Sequence, residues 1–207
     1  MTGPYYLPYA RIDWQEAGTP AAPAYQDIYW STGQGLFEKQ HVFIDGNDLP
    51  ARFEVLGRSH FTLCEIGFGF GLNSLLTANA FSQHAGDGAI LNYIAFENAP
   101  VSPADLTRAL SSLTLPTGID RHAFERHRQC LQDAWPMPSP GYHCRWIDER
   151  ICLTLILGDV NEALPELDAE VDAWFLDGFS PRANPEAWQT RLFGAMAERS
   201  RGGATAS

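Results

Sequence analysis

An apolar segment that ends in closely spaced glycines constrains the fold of this chain more than any other part of its sequence. Residues 61–66 read Phe-Thr-Leu-Cys-Glu-Ile, and glycine follows at Gly67, Gly69 and Gly71. A short apolar run that is bounded by glycine is typical of a strand buried on both faces of a parallel sheet. Apolar residues then recur at helical spacing from Leu72 onward. The sequence therefore predicts a strand, a tight turn and an amphipathic helix.

The spacing of the glycines indicates the class of ligand. Glycine lets the backbone adopt positive φ and approach a ligand without a Cβ. A dinucleotide fingerprint that starts at Gly67 requires glycine at position 72, where this chain has Leu72. The pattern Glu-x-Gly-x-Gly-x-Gly is instead typical of sites for S-adenosylmethionine (SAM), and a tight turn in another α/β fold is the alternative. From this segment we assign six residues to cofactor binding: Glu65, Gly67, Phe68, Gly69, Gly71 and Asn73.

Three further apolar runs each end next to an acidic residue. The runs are predicted strands at 90–96, 151–157 and 171–176, and the acids are Glu97, Asp159 and Asp177. Ligands of open parallel sheets collect at the carboxyl ends of the strands. Glu97 is therefore expected to accept hydrogen bonds from the ribose hydroxyls, with a surface carboxylate as the alternative. Asp159 is expected to bind the adenine amino group, and Asp177 to lie nearest the reacting methyl group.

The order of these elements predicts an α/β domain with a Rossmann-like sheet. We assign residues 57–207 to the SAM-binding core and residues 1–56 to a β-rich N-terminal extension. Within the extension, residues 40–44 and 51–55 are predicted to form a hairpin across the turn-forming segment 45–50.

The C-terminal half contains two predicted helices and the start of another strand. One helix is predicted over about residues 102–134, and a second begins after Asn184 as its N-cap. The chain then starts a strand at residues 204–207 and ends. We therefore expect a sheet that is incomplete at the C-terminus of this chain, with an unpaired edge.

The amino-acid composition argues against several classes of binding partner. The net charge is −11, and Lys39 is the single lysine beside thirteen arginines, which argues against broad binding of phosphate. The four cysteines form no Cys-x-x-Cys pair and are expected to be reduced, and the histidines show no metal-ligand spacing, so no metal is predicted. No apolar run is long enough for a membrane helix, and Met1–Tyr5 does not resemble the start of a signal peptide. The expected location is the cytoplasm, without a membrane partner.

Several motifs taken together resemble the N-terminal methyltransferase domain of the MnmC family. They are Asp27–Ser31, Gly35–Leu36, Gly67–Asn73, Phe96–Glu97, Trp135–Pro138, Gly158–Asp159 and Val171–Phe179. The resemblance covers nearly the whole chain, and its most specific elements are Asp172–Phe179 and the pair Asn184–Pro185. It implies a class I SAM-dependent methyltransferase fold.

The resemblance also implies an activity, which is SAM-dependent methylation of 5-aminomethyl-2-thiouridine to 5-methylaminomethyl-2-thiouridine at the wobble position of tRNA. In the family, a fused C-terminal oxidase domain that uses FAD prepares the amine, and a relative with the methyltransferase alone also exists. No part of the oxidase is present in this chain. The chain departs from the family pattern at Phe70, Asn98 and Ala183, the last two replacing lysine, and Arg182 is expected to supply the charge that Ala183 lacks.

The chemistry of such a transfer suggests roles for a few residues. An aliphatic amine is mostly ammonium at neutral pH and has no lone pair to offer, so Asp177 is the candidate catalytic group that orients the amine and receives its proton. Tyr29, Trp30 and Phe179 are expected to form an aromatic wall for the uracil, and a place in the core is the alternative for each. A nicotinamide-dependent oxidoreductase and a non-catalytic SAM-fold docking module are the rival functions.

Overall fold

The computed structural model describes residues 6–15, 18–31, 33–57 and 59–207. Its strands are β1 (Asp13–Trp14), β2 (Pro20–Ala22), β3 (Asp27–Ile28), β4 (His60–Ile66), β5 (Ile90–Glu97), β6 (Gly141–Asp148), β7 (Ile151–Leu157), β8 (Val171–Leu176) and β9 (Ser200–Ala206). Its helices are α1 (Gly35–Lys39), α2 (Leu49–Glu54), α3 (Leu72–His84), α4 (Pro103–Ser111), α5 (Arg121–Asp133), α6 (Val160–Ala163) and α7 (Thr190–Arg199). A π-helical segment, Gln40–Asp45, continues α1, and a 3₁₀ turn, Leu164–Glu166, continues α6. None of the described helices is long and apolar enough to cross a membrane.

Six strands form the main sheet in the order β6-β7-β5-β4-β8-β9. All neighbours are parallel except β6 and β7, which are antiparallel. The chain first builds the sheet outward from β4 through β5 to β7 and then returns to the other side of β4 with β8. The strand order thus reverses at β4, and this reversal is where open α/β sheets bind ligands. The predicted Rossmann-like α/β fold is confirmed.

The alternation of side chains along the strands produces two cores. On one face, Leu63 and Phe175 pack with α3 and the N-terminal helices, and on the other face Cys64 and Trp174 pack with α6 and α7. Because strand residues alternate between faces, Glu65 shares the face of Leu63 and is buried under α3. An acidic residue therefore lies inside the larger core.

Helix α3 is buried on every side rather than amphipathic as predicted, since all residues from Leu72 to Phe81 are buried. It lies between the sheet, α2 and α5. The hydroxyl groups of Ser74 and Thr77 form hydrogen bonds within the helix. The Ser74 hydroxyl donates to the Gly71 carbonyl at 2.7 Å, and the Thr77 hydroxyl donates to the Asn73 carbonyl at 2.7 Å. The fold thus places polar side chains in a core helix without leaving these hydroxyls unpaired.

The N-terminal extension contains one small antiparallel sheet, β1-β2-β3, followed by helices. The predicted hairpin of residues 40–44 and 51–55 is wrong, because both segments are helical. Leu49 and Phe53 are four residues apart and both are fully buried, which is the spacing of one helix face. Packing of these side chains against α3 overrides the local preference for strands. The prediction of a β-rich extension is therefore wrong for residues 40–55. The boundary between residues 56 and 57 stays a prediction.

Two helix predictions need correction. The helix predicted over residues 102–134 is interrupted, and α4 and α5 are separated by residues 112–120. The helix predicted to begin after Asn184 begins at Thr190 instead. The Asn161 amide donates to the carbonyls of Glu186 and Ala187 at 3.0 and 3.4 Å, which holds this segment in a non-helical path.

The two edges of the main sheet also differ from expectation. Strand β6 was not predicted, because its sequence, Gly-Tyr-His-Cys-Arg-Trp-Ile-Asp, is not an apolar run. Strand β9 starts at Ser200 rather than at 204, and pairing with β8 continues through Ser207, whose amide donates to the Trp174 carbonyl at 3.1 Å. Arg52 of α2 joins this edge to the extension by donating to the Thr205 hydroxyl at 2.7 Å.

Truncation of Phe53 tests whether the extension belongs to the core. Its ring makes edge-to-face contacts with Phe61 and Phe81 at 5.1 and 5.2 Å, and it is fully buried. We expect Phe53→Ala to lower the free energy of unfolding by about 3–5 kcal/mol, as measured by urea denaturation. Val55→Ala is the matched control, because Val55 is 84% exposed. Equal stability of the two variants would show that α2 is dispensable for the core.

Candidate active site

A cavity of about 330 Å³ opens at the carboxyl ends of the central strands, which is within the range of small-molecule sites. Three segments form its walls. They are the turn after β4, the ends of β5, β7 and β8, and residues of the N-terminal extension. Eight of the predicted site residues line it: Gly67, Phe68, Gly69, Glu97, Asp159, Asp177, Tyr29 and Phe179. Trp30 lines it as well but is only 9% exposed, with its ring edge-on to Phe70 in the core.

The glycine turn is crowded by protein atoms. Gly67, Gly69 and Gly71 all have positive φ, at 91°, 52° and 72°. A Cβ at Gly67 would lie 2.7 Å from the Gly178 Cα, and a Cβ at Gly71 would lie 2.9 Å from the Phe68 ring. At Gly69 the nearest atom would belong to the Tyr29 ring, at 3.3 Å. The glycines are therefore required by close packing within the protein, in addition to the positive φ that the sequence predicted.

Glu97 is fixed by backbone amides at the end of β5. Its Oε2 accepts from the Gly69 amide and its Oε1 from the Ala99 amide, each at 2.8 Å. Burial raises the pKa of Glu97, and these amide hydrogen bonds oppose the rise. The carboxylate thus connects the glycine turn to the second strand, at the position predicted for ribose binding.

Asp177 follows β8 and is paired with Lys39 from the end of α1. The Lys39 ammonium donates to Asp177 Oδ2, and the Asn73 amide donates to the same oxygen at 2.9 Å. The side chains of Lys39 and Asp177 are 13% and 24% exposed, so this ion pair is largely removed from water. Lys39 was not among the site residues predicted from the sequence. That it is the only lysine was a signal that could have pointed to it.

A buried polar network extends from Asp177 into the core. The Asn73 amide also donates to Glu65 Oε1 at 2.6 Å, and the Tyr93 hydroxyl donates to Glu65 Oε2 at 2.8 Å. Burial first, and then the charge of Asp177, raise the pKa of Glu65 to about 8. At neutral pH Glu65 is therefore mostly protonated, which leaves Asp177 as the acid of the network that is open to the cavity.

Aromatic rings from two parts of the chain form one wall of the cavity. Phe179 stacks on Tyr25 with ring centroids 4.3 Å apart and meets Tyr29 edge-on at 5.2 Å. Burial and the nearby charge of Glu97 raise the pKa of the Tyr29 hydroxyl, so it is protonated at neutral pH. Tyr25 was not predicted from the sequence. The extension thus supplies half of the wall.

Several predicted residues lie outside the lining of the cavity. Glu65 and Asn73 lie behind Asp177, and Gly71 is the N-cap of α3. Arg182 is exposed and does not line the cavity. Asp159 does line the cavity, but it is exposed at the rim and caps α6 by accepting a hydrogen bond from the Asn161 backbone amide at 2.8 Å. The roles assigned to these residues remain predictions.

Two observations indicate that the residues of the cavity suit SAM. Gly158 lines it with φ of 151°, and a Cβ there would enter open space, so bare backbone faces the cavity beside Asp159. Both Glu97 and Asp177 present carboxylates to it, which suits a ligand with hydroxyl groups and positive charge. Among the described residues, no cluster of three or more His, Cys, Asp or Glu side chains could hold a metal ion.

Substitution at Gly67 tests the packing of the turn. Alanine there would meet backbone atoms of residues 177 and 178 within 2.8 Å, which would displace the end of β8. We expect Gly67→Ala to weaken SAM binding roughly tenfold or more, as measured by calorimetry. Gly57→Ala is the control, since Gly57 also has positive φ but no atom within 4 Å of its added Cβ. Equal SAM affinity in both variants would contradict this role of Gly67.

The pKa of Glu65 predicts a pH dependence of stability. Between its ordinary value of 4.5 and about 8, folded Glu65 keeps a proton that the unfolded chain has released. The contribution of Glu65 is therefore fully present below pH 4.5 and is lost as pH rises through about 8. We expect the free energy of unfolding to fall more steeply over this window in the wild type than in Glu65→Gln. Glu54→Gln, at an exposed position, should keep the wild-type slope, and an unchanged slope in Glu65→Gln would refute the assignment.

Comparison with known proteins identifies the class of the domain. A family model described as S-adenosyl-L-methionine-dependent methyltransferase matches residues 122–207. The crystal structure of MnmC2 from Aquifex aeolicus superimposes with a TM-score of 0.68 at 23% identity, covering 94% of this chain and 57% of that chain. This likeness agrees with the fold described above.

Curated sequences show closer relatives. The chain is 42% identical over 209 residues to the tRNA 5-methylaminomethyl-2-thiouridine biosynthesis bifunctional protein MnmC of Aeromonas salmonicida, covering 97% of this chain and 30% of the relative. It is 40% identical over 196 residues to MnmC of Hydrogenovibrio crunogenus, covering 92% of this chain and 27% of the relative. The chain therefore spans about 30% of the length of the curated relatives it matches. Over residues 122–207 the chain is similar to S-adenosyl-L-methionine-dependent methyltransferases, which use SAM as their cofactor, and nearly the whole chain aligns with about 30% of MnmC.

Proposed function

We propose that the protein transfers the methyl group of SAM to the amine of 5-aminomethyl-2-thiouridine at the wobble position of tRNA. The observation that carries this proposal is a carboxylate, Asp177, that faces the cavity beside an aromatic wall. The names of the relatives point to the same product, since they refer to biosynthesis of 5-methylaminomethyl-2-thiouridine in tRNA.

The chemistry requires alignment and a neutral amine. SAM supplies a methyl group that its sulfonium already activates. The protein therefore has to exclude water, orient the amine and remove its proton. Asp177 is suited to hold the amine and receive that proton, because it is the carboxylate at the end of β8 that lines the cavity.

The aromatic wall suits the base of the substrate. Phe179 and Tyr29 present rings to the cavity, and stacking of a base on such a ring contributes about 1–3 kcal/mol. Glu97 and Asp159 would hold the ribose and the adenine of the cofactor at the other end of the cavity. Trp30 contributes mainly to the core, since its ring packs against Phe70.

The relatives are more than three times as long as this chain, and their name calls them bifunctional. We propose that tRNA is the partner in the reaction, and that a fused oxidase domain using FAD belongs to the parent protein as it does in the family. The cytoplasm is the compartment that this substrate implies. A nicotinamide-dependent oxidoreductase would instead show fluorescence changes when NADH is titrated into the protein, and we expect none.

Replacement of Asp177 tests the assigned chemistry. Asp177→Asn keeps the size of the side chain and removes its charge, so we expect SAM binding to persist and methyl transfer to undermodified tRNA to fall at least about 100-fold. The measurements are calorimetry for SAM and incorporation of labelled methyl for the reaction. Asp168→Asn, at an exposed position, is the control. Normal turnover of Asp177→Asn would remove Asp177 from the mechanism, and absence of transfer by the wild type would contradict the proposed function.

A further inference from the structure

We propose that Lys39 is a positioning residue of the transfer site, whose ammonium holds one oxygen of Asp177, keeps that carboxylate ionised and disfavours a second positive charge on the substrate amine. The proposal rests on the function proposed above. It concerns a residue of the N-terminal extension, outside the glycine turn and the strand ends that define the cofactor site.

The geometry of the pair supports this role. Both described hydrogen bonds to the Asp177 carboxylate, from the Lys39 ammonium and from the Asn73 amide, end on Oδ2. Within the described part of the chain, no hydrogen bond ends on Oδ1. The arrangement therefore gives one oxygen to the protein and leaves the other to receive the substrate amine.

The ammonium itself is held in place. Lys39 is the last residue of α1, and its Nζ lies 5.6 Å from the centroid of the Phe43 ring one turn later. Its side chain is 13% exposed and lines the cavity. The helix and the aromatic ring thus hold the ammonium at Asp177. Because the ammonium is largely buried, salt screens its charge less than it screens a charge at the surface.

The charges around Asp177 make this cation necessary. Glu65 and Tyr93 are the other titratable groups that face Asp177, and both become negative when they ionise. Burial raises the pKa of Asp177, while Lys39 and then Asn73 lower it. Without Lys39, a buried carboxylate would be left with one amide as its partner, and its protonated form would gain. A protonated Asp177 cannot accept the proton of the substrate.

The same charge acts on the substrate. A substrate ammonium bound to Oδ1 of Asp177 would share that carboxylate with the Lys39 ammonium. These two like charges would repel each other. The bound amine therefore loses its proton more readily, as happens when a lysine lies next to another cation. After transfer, the secondary ammonium of the product is repelled by the same charge, which favours its release.

Both effects shift the pH profile in one direction. In Lys39→Met we expect the acid limb of kcat/KM, which reports Asp177 in the free enzyme, to move about one unit or more to higher pH. The acid limb of kcat, which includes the bound amine, moves the same way. Lys39→Arg keeps the charge and should restore the wild-type profile. Arg11→Met is the control for net charge, because Arg11 has an 80% exposed side chain away from the cavity.

A second readout does not depend on turnover. Since Lys39 is the only lysine, protein made with [¹³Cε]lysine gives one resonance that needs no assignment. We expect that resonance to shift as Asp177 takes up its proton in acid, and the shift to vanish in Asp177→Asn. The titration is performed without SAM on the wild type, so it remains decisive if Lys39→Met does not fold.

The outcomes separate this proposal from the proposed function. If the wild type transfers methyl to aminomethyl-uridine tRNA but Lys39→Met keeps the wild-type pH profile, Lys39 has no positioning role. A lysine resonance that is indifferent to Asp177→Asn overturns the pairing itself. If the wild type transfers no methyl while the resonance follows Asp177, the proposed substrate is wrong and the ion pair stands.

Discussion

The contact between the turn after β4 and the end of β8 determines where the charged groups of the site lie. Gly67 approaches the backbone of residues 177 and 178 so closely that a Cβ would overlap it. The Gly67 and Phe68 amides also donate to the Phe96 carbonyl at 3.0 and 3.1 Å, which ties the turn to β5. Because one turn touches the ends of both neighbouring strands, Glu97 and Asp177 are fixed relative to each other. A rigid frame of this kind is what alignment of two reactants requires.

Electrostatics inside this frame depend on which acids ionise. Glu65 and Asp177 are joined through Asn73, whose amide group donates to both and carries no titratable proton of its own. The deeper acid, Glu65, is neutralised by protonation, and the acid at the cavity is neutralised by a cation. Burial raises the pKa of both carboxyl groups, and at Asp177 the Lys39 ammonium is the main cause that opposes this rise.

The parts of the fold that the sequence predicted are those with strong local signals. The strands 60–66, 90–97, 151–157 and 171–176 agree with apolar runs that end in glycine or acids, and their carboxyl ends converge as expected. Residues 40–44 and 51–55 were predicted as the strands of a hairpin because they flank a turn-forming segment, whereas contact with α3 makes them helical. The ring of Tyr25 and the ammonium of Lys39 reach the cavity from turns and a short helix of that extension. No periodicity in the sequence specifies such long-range placement.

Helix α3 is buried on every side from Leu72 to Phe81, and the extension covers the side that the sheet and α5 do not. This extension also carries Tyr25, Tyr29 and Lys39 to the cavity. The residues proposed to bind the methyl donor therefore lie mainly at the strand ends, whereas several of those proposed to act on the acceptor come from the extension. A change of these three side chains alters that side of the cavity and leaves the glycine turn and the strand ends unchanged in sequence.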